Sequence, residues 1–279
     1  MKPNLKLISM NEIQTEEVAW LWYPYLPRGK LTIIQGDSGE GKTTFVLAVI
    51  SALTTGVPLP ESSQELEPLN VIYQMAENGL ADTIKPRLDA AGADCARVLV
   101  IDESQRELTL CDERLEQAVH QTDAQLVVLD SIQAYLGNDV DMHRANGVRP
   151  ILKRVSVMAE RTGCAVILIG HMNKAQGLKS GYRGLGSIDF RAAARSVLVV
   201  GRLKEDPTVR IVRKIKTVWL PREDLWRSSW TESGFFYGRV SAISRWVMCS
   251  AAAGSSRPRP LRWKKNWNGC SRSLSLQKR

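Results

Sequence analysis

Gly36-Asp37-Ser38-Gly39-Glu40-Gly41-Lys42-Thr43 fits the phosphate-binding pattern G-x-x-x-x-G-K-[ST] at every fixed position. The apolar run Leu31-Thr32-Ile33-Ile34 leads into it and Thr44-Phe45-Val46-Leu47-Ala48-Val49-Ile50 leads away, so the context reads strand, loop, helix. The glycines allow backbone conformations that turn successive N–H groups inward as an anion nest. The helix N-terminus adds its partial positive charge beneath that nest. The run from Gly36 to Thr44 is therefore the expected cradle of a nucleoside triphosphate, ATP in the simplest case. Within it, Lys42 is expected to reach the β and γ phosphates and the Thr43 hydroxyl to ligate Mg²⁺.

Working outward, the 279 residues suffice for one large α/β domain, or for one domain with an appendage. No apolar run reaches the roughly 18 to 20 residues of a membrane span, and Met1-Lys2-Pro3-Asn4-Leu5 lacks the apolar segment of a signal peptide. A cytoplasmic protein without a membrane partner is expected. The cysteines at 95, 111, 164, 249 and 270 have no metal-ligand spacing and read as reduced thiols, which argues against zinc or disulfides. The formal charge is +9, yet from Val218 onward there are 12 Lys and Arg against 3 Asp and Glu, while residues 1–217 are balanced. The net basicity thus belongs to the tail, and gives no argument for nucleic-acid binding by the remainder.

Before the loop, residues 16–27 form an aromatic, Pro-broken lead-in, Glu16 to Pro27, whose rings are expected to cover a sheet edge or the adenine side of the site. A second buried strand, Asn70-Val71-Ile72-Tyr73-Gln74-Met75, ends at Ala76-Glu77. Ligands of open parallel sheets sit at the C-terminal ends of strands, so Glu77 is a candidate to polarise an attacking water. A solvated loop residue or a helix cap is the alternative for that carboxylate. A helix from Leu80 to Ala91, kinked at Pro86, then leads to a strand at Val98 to Ile101. The apolar run Gln125-Leu126-Val127-Val128-Leu129 ends in Asp130, which makes Asp130 the candidate to hold Mg²⁺ through water. A further strand, Ala165-Val166-Ile167-Leu168-Ile169-Gly170, ends at His171, which either reports the state of the γ-phosphate or caps the strand. The basic, Gly-rich segment 172–187, with Tyr182, suits the phosphate backbone of nucleic acid and base stacking. A last core strand is expected from Val209 to about Ile215.

Together these residues resemble the RepA-like branch of the RecA-like ATPases, AAA-domain proteins of plasmids, phages and integrated elements. The resemblance runs from about Leu5 to Val209 and rests on the phosphate loop, Tyr73-Gln74-Met75-Ala76-Glu77, Leu129-Asp130, Ile169-Gly170-His171, and Tyr182-Arg183-Gly184 through Ala194-Arg195. It implies an α/β fold: a RecA-like P-loop NTPase core with a mostly parallel central sheet flanked by helices. It also implies a homo-oligomeric, hexameric ring with ATP between subunits and single-stranded DNA in contact with loops 137–149 and 172–187. By resemblance Glu77 activates water, Asp130 serves Mg²⁺, His171 senses the γ-phosphate, and Arg195 is the arginine finger acting on a neighbour's ATP, with Arg191 or Arg183 as alternatives. One departure is Asn78, where the family often has Asp.

These features define residues 1–217 as the ATPase domain and 218–279 as an atypical basic tail. Six of the eight tryptophans fall after Val218, among Arg, Ser and Pro. Such a tail reads either as disordered or as the product of a reading-frame shift near Ile211, which the coding DNA would reveal. The expected function is Mg²⁺-dependent ATP hydrolysis coupled to action on single-stranded DNA, as a replicative helicase or DNA-dependent ATPase of a mobile element. The alternatives are an ATP-gated DNA-binding regulator that does not unwind DNA and a P-loop kinase for a small molecule.

Overall fold

The computed structural model describes residues 7–60, 62, 66–76, 79–137, 140, 145–171, 188–203, 206, 209–217, 235–236 and 245–249. In chain order the strands are β1 (Trp20–Trp22), β2 (Leu26–Pro27), β3 (Leu31–Gly36), β4 (Val71–Met75), β5 (Val98–Leu99), β6 (Leu126–Asp130), β7 (Ala165–His171), β8 (Ser196–Arg202), β9 (Val209–Thr217), β10 (Phe235–Phe236) and β11 (Arg245–Cys249). The α-helices are α1 (Lys42–Thr55), α2 (Lys85–Ala91), α3 (Glu113–Thr122), α4 (Ala145–Thr162) and α5 (Ile188–Ala193). Among the described residues, β3 to β11 form one sheet in the order β10-β11-β9-β8-β3-β7-β6-β4-β5. From β8 to β5 all pairings are parallel, and β9 returns antiparallel to β8. β10 and β11 fall inside the segment set apart by composition as a tail, and β11 pairs parallel to β9.

The central strands are continuous apolar runs because helices cover both faces. Alternate residues divide between two cores. Ile34, Tyr73, Val128, Ile169 and Leu198 face α1 and α2. Ile33, Ile72, Val127, Leu168 and Val197 pack with Leu115 of α3, Leu152 and Val155 of α4, and Phe190 of α5. Helix α1 is not a one-faced amphipathic helix, since every residue from Phe45 to Thr54 is buried. The sheet and the aromatic lead-in both pack against it.

That placement refines the expectation for residues 16–27. Trp22 is fully buried, its indole Nε1 donates to the Pro60 carbonyl at 2.8 Å, and its ring lies 4.7 Å from Tyr25 and 6.2 Å from Phe45 of α1. The rings therefore pack against α1, and Tyr25 also lies beneath Lys214 of β9 at 5.6 Å, so they cover α1 and the β9 part of the sheet and do not line a nucleotide cavity. Trp22→Ala leaves a cavity there and an unpaired carbonyl, so the folded state should lose about 3–5 kcal/mol; urea unfolding followed by Tyr and Trp fluorescence measures it.

Two local details add to the expectations. Leu80–Ile84 is a π-helical turn that passes directly into α2, and Pro86 sits in the first turn of α2, where the helical run from Leu80 to Ala91 changes from π to α. The ladder of β5 stops at Leu99 instead of Ile101. Beyond it the Gln74 side chain takes over: its Oε1 accepts from the Ile101 N–H at 2.6 Å, and its Nε2 donates to the Ile101 carbonyl at 3.2 Å and to Glu103 at 2.7 Å. No described helix is long and apolar enough to cross a membrane.

Candidate nucleotide-binding site

The loop between β3 and α1 has the backbone that its glycines foretell. Gly39 and Gly41 take φ of +77° and +93°, a region that L side chains rarely adopt, and Gly41 is the N-cap of α1. Gly36 is needed for space instead, because a Cβ there would stand 2.3 Å from the Val200 carbonyl oxygen of β8. Arg202, at the end of β8, braces the loop from outside. Its Nη2 donates to the Gly39 carbonyl at 2.7 Å, and its Nε lies 3.4 Å from the Glu40 carboxylate.

Lys42 is 5% exposed, and its ammonium donates to the carbonyls of Gly36 and Asp37, each at 2.9 Å. It also meets His171 Nδ1 at 3.2 Å. An ammonium only donates, so Nδ1 is the acceptor in that contact. β7 makes the meeting possible by pairing with β3 so that His171 stands opposite Gly36. On the neighbouring strand, β6 ends at Asp130, whose Oδ2 accepts from the Thr43 hydroxyl at 2.7 Å. The same oxygen accepts from the Tyr73 phenol at 3.3 Å. Burial, and then the charge of Asp130, push the Tyr73 phenol well above the usual tyrosine range, so it stays protonated and a donor.

These groups surround a cavity of about 330 Å³. Its lining is Ser38, Gly39, Gly41, Lys42, Thr43 and Thr44 from the loop, with Met75, Arg87, Asp130 and His171. Grooves of about 500 Å³ lie between α3 and α4 and over the ends of β4 and β5, but neither is lined by glycine, and the helix N-terminus in the first is flanked by the carboxylates Asp112, Glu113 and Glu116. The donor set of the smaller cavity fits a nucleoside triphosphate with Mg²⁺: a glycine cradle, the Lys42 and Arg87 cations, and a hydroxyl beside a carboxylate.

Of the residues singled out in the sequence, the structure brings together Gly36 to Thr44, Asp130 and His171. Glu77, Asn78 and the segment 172–187 lie outside the described residues, as do 138–139 and 141–144 of the other loop. β4, which leads to Glu77, does end beside the site, with Met75 opposite Asp130. Arg195 is not brought to this cavity. It precedes β8 and its N–H donates to the Leu31 carbonyl, at the start of β3, so five strand residues, roughly 16 Å, separate it from Gly36.

Sequence reasoning missed Arg87 and Arg202, and quoted Tyr73 and Gln74 only as part of the run that ends at Glu77, without a role of their own. Arg87 sits on α2, read only as a helix after the second strand. Arg202 meets Gly39 across 163 residues of chain. Only the strand-end position of Arg202 and the polar Gln74 within an apolar run were available as signals.

Comparison with known proteins agrees with this geometry. The chain is 28% identical over 148 residues to the DNA repair protein RadA of Halalkalibacterium halodurans, covering 52% of this chain and 28% of RadA. It is 26% identical over 185 residues to the protein RecA of Arthrospira platensis, covering 61% of this chain and 46% of RecA. The chain thus spans less than half the length of either relative. Among solved structures, a KaiC-like protein from Pyrococcus horikoshii OT3 superposes with a TM-score of 0.55 at 17% identity, over 83% of this chain and 99% of that one, a likeness of fold. The RepA-like branch is not singled out by these relatives; RecA, RadA and KaiC-like proteins are what the chain is similar to. The family model of the AAA domain matches residues 3–177, and with its P-loop, its strand-tip Asp130 and its mostly parallel sheet the chain belongs to the AAA-domain family of RecA-like P-loop proteins.

Proposed function

We propose that the chain is a Mg²⁺-dependent ATPase that couples hydrolysis to action on single-stranded DNA, in the manner of the RepA-like helicases of mobile elements. The observation that carries the reading is the convergence of Lys42, Thr43, Asp130 and His171 on one glycine-framed cavity. Lys42 is the cation for the β and γ phosphates. Thr43 and Asp130 hold Mg²⁺, which when bound neutralises phosphate charge. Glu77, carried just past the end of β4, is the base that orients water. His171 touches Lys42 and directly precedes the segment 172–187 in the chain, so a change at the phosphates has a short route toward that segment. This is the basis for reading His171 as the γ-phosphate sensor.

Support for DNA as the partner comes from the relatives, one named for DNA repair and one RecA, and from chain order, since segments 137–149 and 172–187 follow β6 and β7, the strands that end at Asp130 and His171. The distance of Arg195 from its own chain's cavity supports a finger that serves a second subunit, and hence a ring in which ATP lies between subunits.

Hydrolysis raised by single-stranded DNA, together with separation of a partial duplex, is the expected result. Stimulation without strand separation would replace the helicase reading by the ATP-gated regulator, and a phosphorylated small-molecule product would point to a kinase. Arg87 gives a narrower check. As a cation on the wall of the cavity it stabilises bound phosphates, so Arg87→Ala should weaken ATP binding about 10-fold, read by titration of a fluorescent ATP analogue, without a change in melting temperature.

A further inference from the structure

Asp130 does not rest on the Thr43 hydroxyl alone. Tyr73 is fully buried in the core between the sheet and α1, and its ring has no freedom to follow a moving carboxylate. β4 pairs with β6 so that Tyr73 stands beside Val128 and Met75 beside Asp130. Tyr73 and Asp130 are thus diagonal neighbours on one face of the sheet, and the phenol reaches Oδ2 at 3.3 Å. Thr43 reaches the same oxygen from the first turn of α1. A buried hydroxyl without a partner is costly, so each of Tyr73 and Asp130 fixes the other. Between Thr43 and Tyr73, Thr43 has a second task, because its oxygen is the one expected to ligate Mg²⁺. Tyr73 has no such task and lies away from solvent.

We infer that Tyr73 is a positioning residue for the magnesium site, holding the Asp130 carboxylate in the one orientation in which it serves the metal together with Thr43. The inference rests on the reading of Thr43 and Asp130 as the Mg²⁺ residues. It assigns to the second strand a role in metal affinity that is separate from that of Glu77 at the end of the same strand. Partners that orient metal-binding carboxylates from behind commonly govern affinity for the metal by a factor of ten or more.

Tyr73→Phe removes the hydroxyl and keeps the ring, so the core stays filled. In the full chain, ATP turnover and binding of a fluorescent ATP analogue are titrated with MgCl₂. The expected result is a rise of about 10-fold in the Mg²⁺ concentration for half-maximal turnover. Turnover at saturating Mg²⁺ and nucleotide affinity in EDTA should stay within about twofold of the unaltered protein, which a merely structural loss would not produce. A half-saturating Mg²⁺ concentration within about twofold overturns the assignment. A double-mutant cycle tests the route: in an Asp130→Asn background, Tyr73→Phe should have no further effect on Mg²⁺ dependence, and a further loss there would overturn action through Asp130. If the unaltered protein binds and turns over ATP equally well in EDTA, the magnesium reading of Asp130 falls and the assignment of Tyr73 falls with it.

Discussion

Lys42→Ala should abolish ATP hydrolysis, lowering turnover by at least about 100-fold, the usual cost of removing one preorganised donor to transition-state charge. Lys42 is held at the floor of the loop by two carbonyls and His171, and Arg87, the other cation lining the cavity among the described residues, belongs to a different helix. The fold should persist. Truncation removes a buried ammonium together with its contacts to Gly36, Asp37 and His171, and the carbonyls of Gly36 and Asp37 stay within reach of water entering the cavity. Phosphate release measured beside a thermal melt separates the two effects. A Lys42→Ala protein that melts like the original and still hydrolyses ATP at a comparable rate would remove Lys42 from the site.

Gly36→Ala should act by a different route. The added methyl group would meet the Val200 carbonyl oxygen at 2.3 Å, a distance that cannot stand. Both partners are backbone within the sheet, so relief requires β3 and β8 to separate at the point where the phosphate loop begins. Overpacking of this kind costs about 1–3 kcal/mol, and the displacement falls on the amides that form the anion nest. ATP binding should be lost by more than about 100-fold, with a lower melting temperature. Calorimetric titration and a thermal melt report both, and normal nucleotide affinity in this variant would contradict the placement of β8 against the loop.

The two cores were legible in the sequence because each central strand is an apolar run of strand length bounded by turn signals. Leu126 to Asp130 and Ala165 to His171 could hardly be anything else between helical stretches. The phosphate loop was legible because its glycines are needed one by one, Gly39 and Gly41 for positive φ and Gly36 for space. Strand ends gave Asp130 and His171, since the order of a parallel sheet brings its C-terminal tips to one edge.

What stayed hidden depends on pairings that no local pattern encodes. The Trp22 ring could be recognised as buried, but whether it faces a nucleotide or α1 is fixed by the turn through Tyr25, whose N–H donates to the Trp22 carbonyl. Gln74 looked like a polar interruption in a strand, yet it supplies the bonds that the β5 ladder lacks. Arg202 becomes part of the site only because β8 runs beside β3. Arg195 illustrates the converse: its position is sequence-close to β8, and β8 is adjacent to the loop strand, yet it enters at the far end.

We propose that the Lys42, Thr43 and Asp130 cavity turns over ATP in service of DNA. Phosphate release by the purified full chain, with MgCl₂ or EDTA and with or without single-stranded DNA, tests it most directly. Turnover should need Mg²⁺, disappear in Lys42→Ala, and rise when single-stranded DNA is added. Protein that binds ATP and remains folded, yet releases no phosphate in any of these conditions, would contradict it.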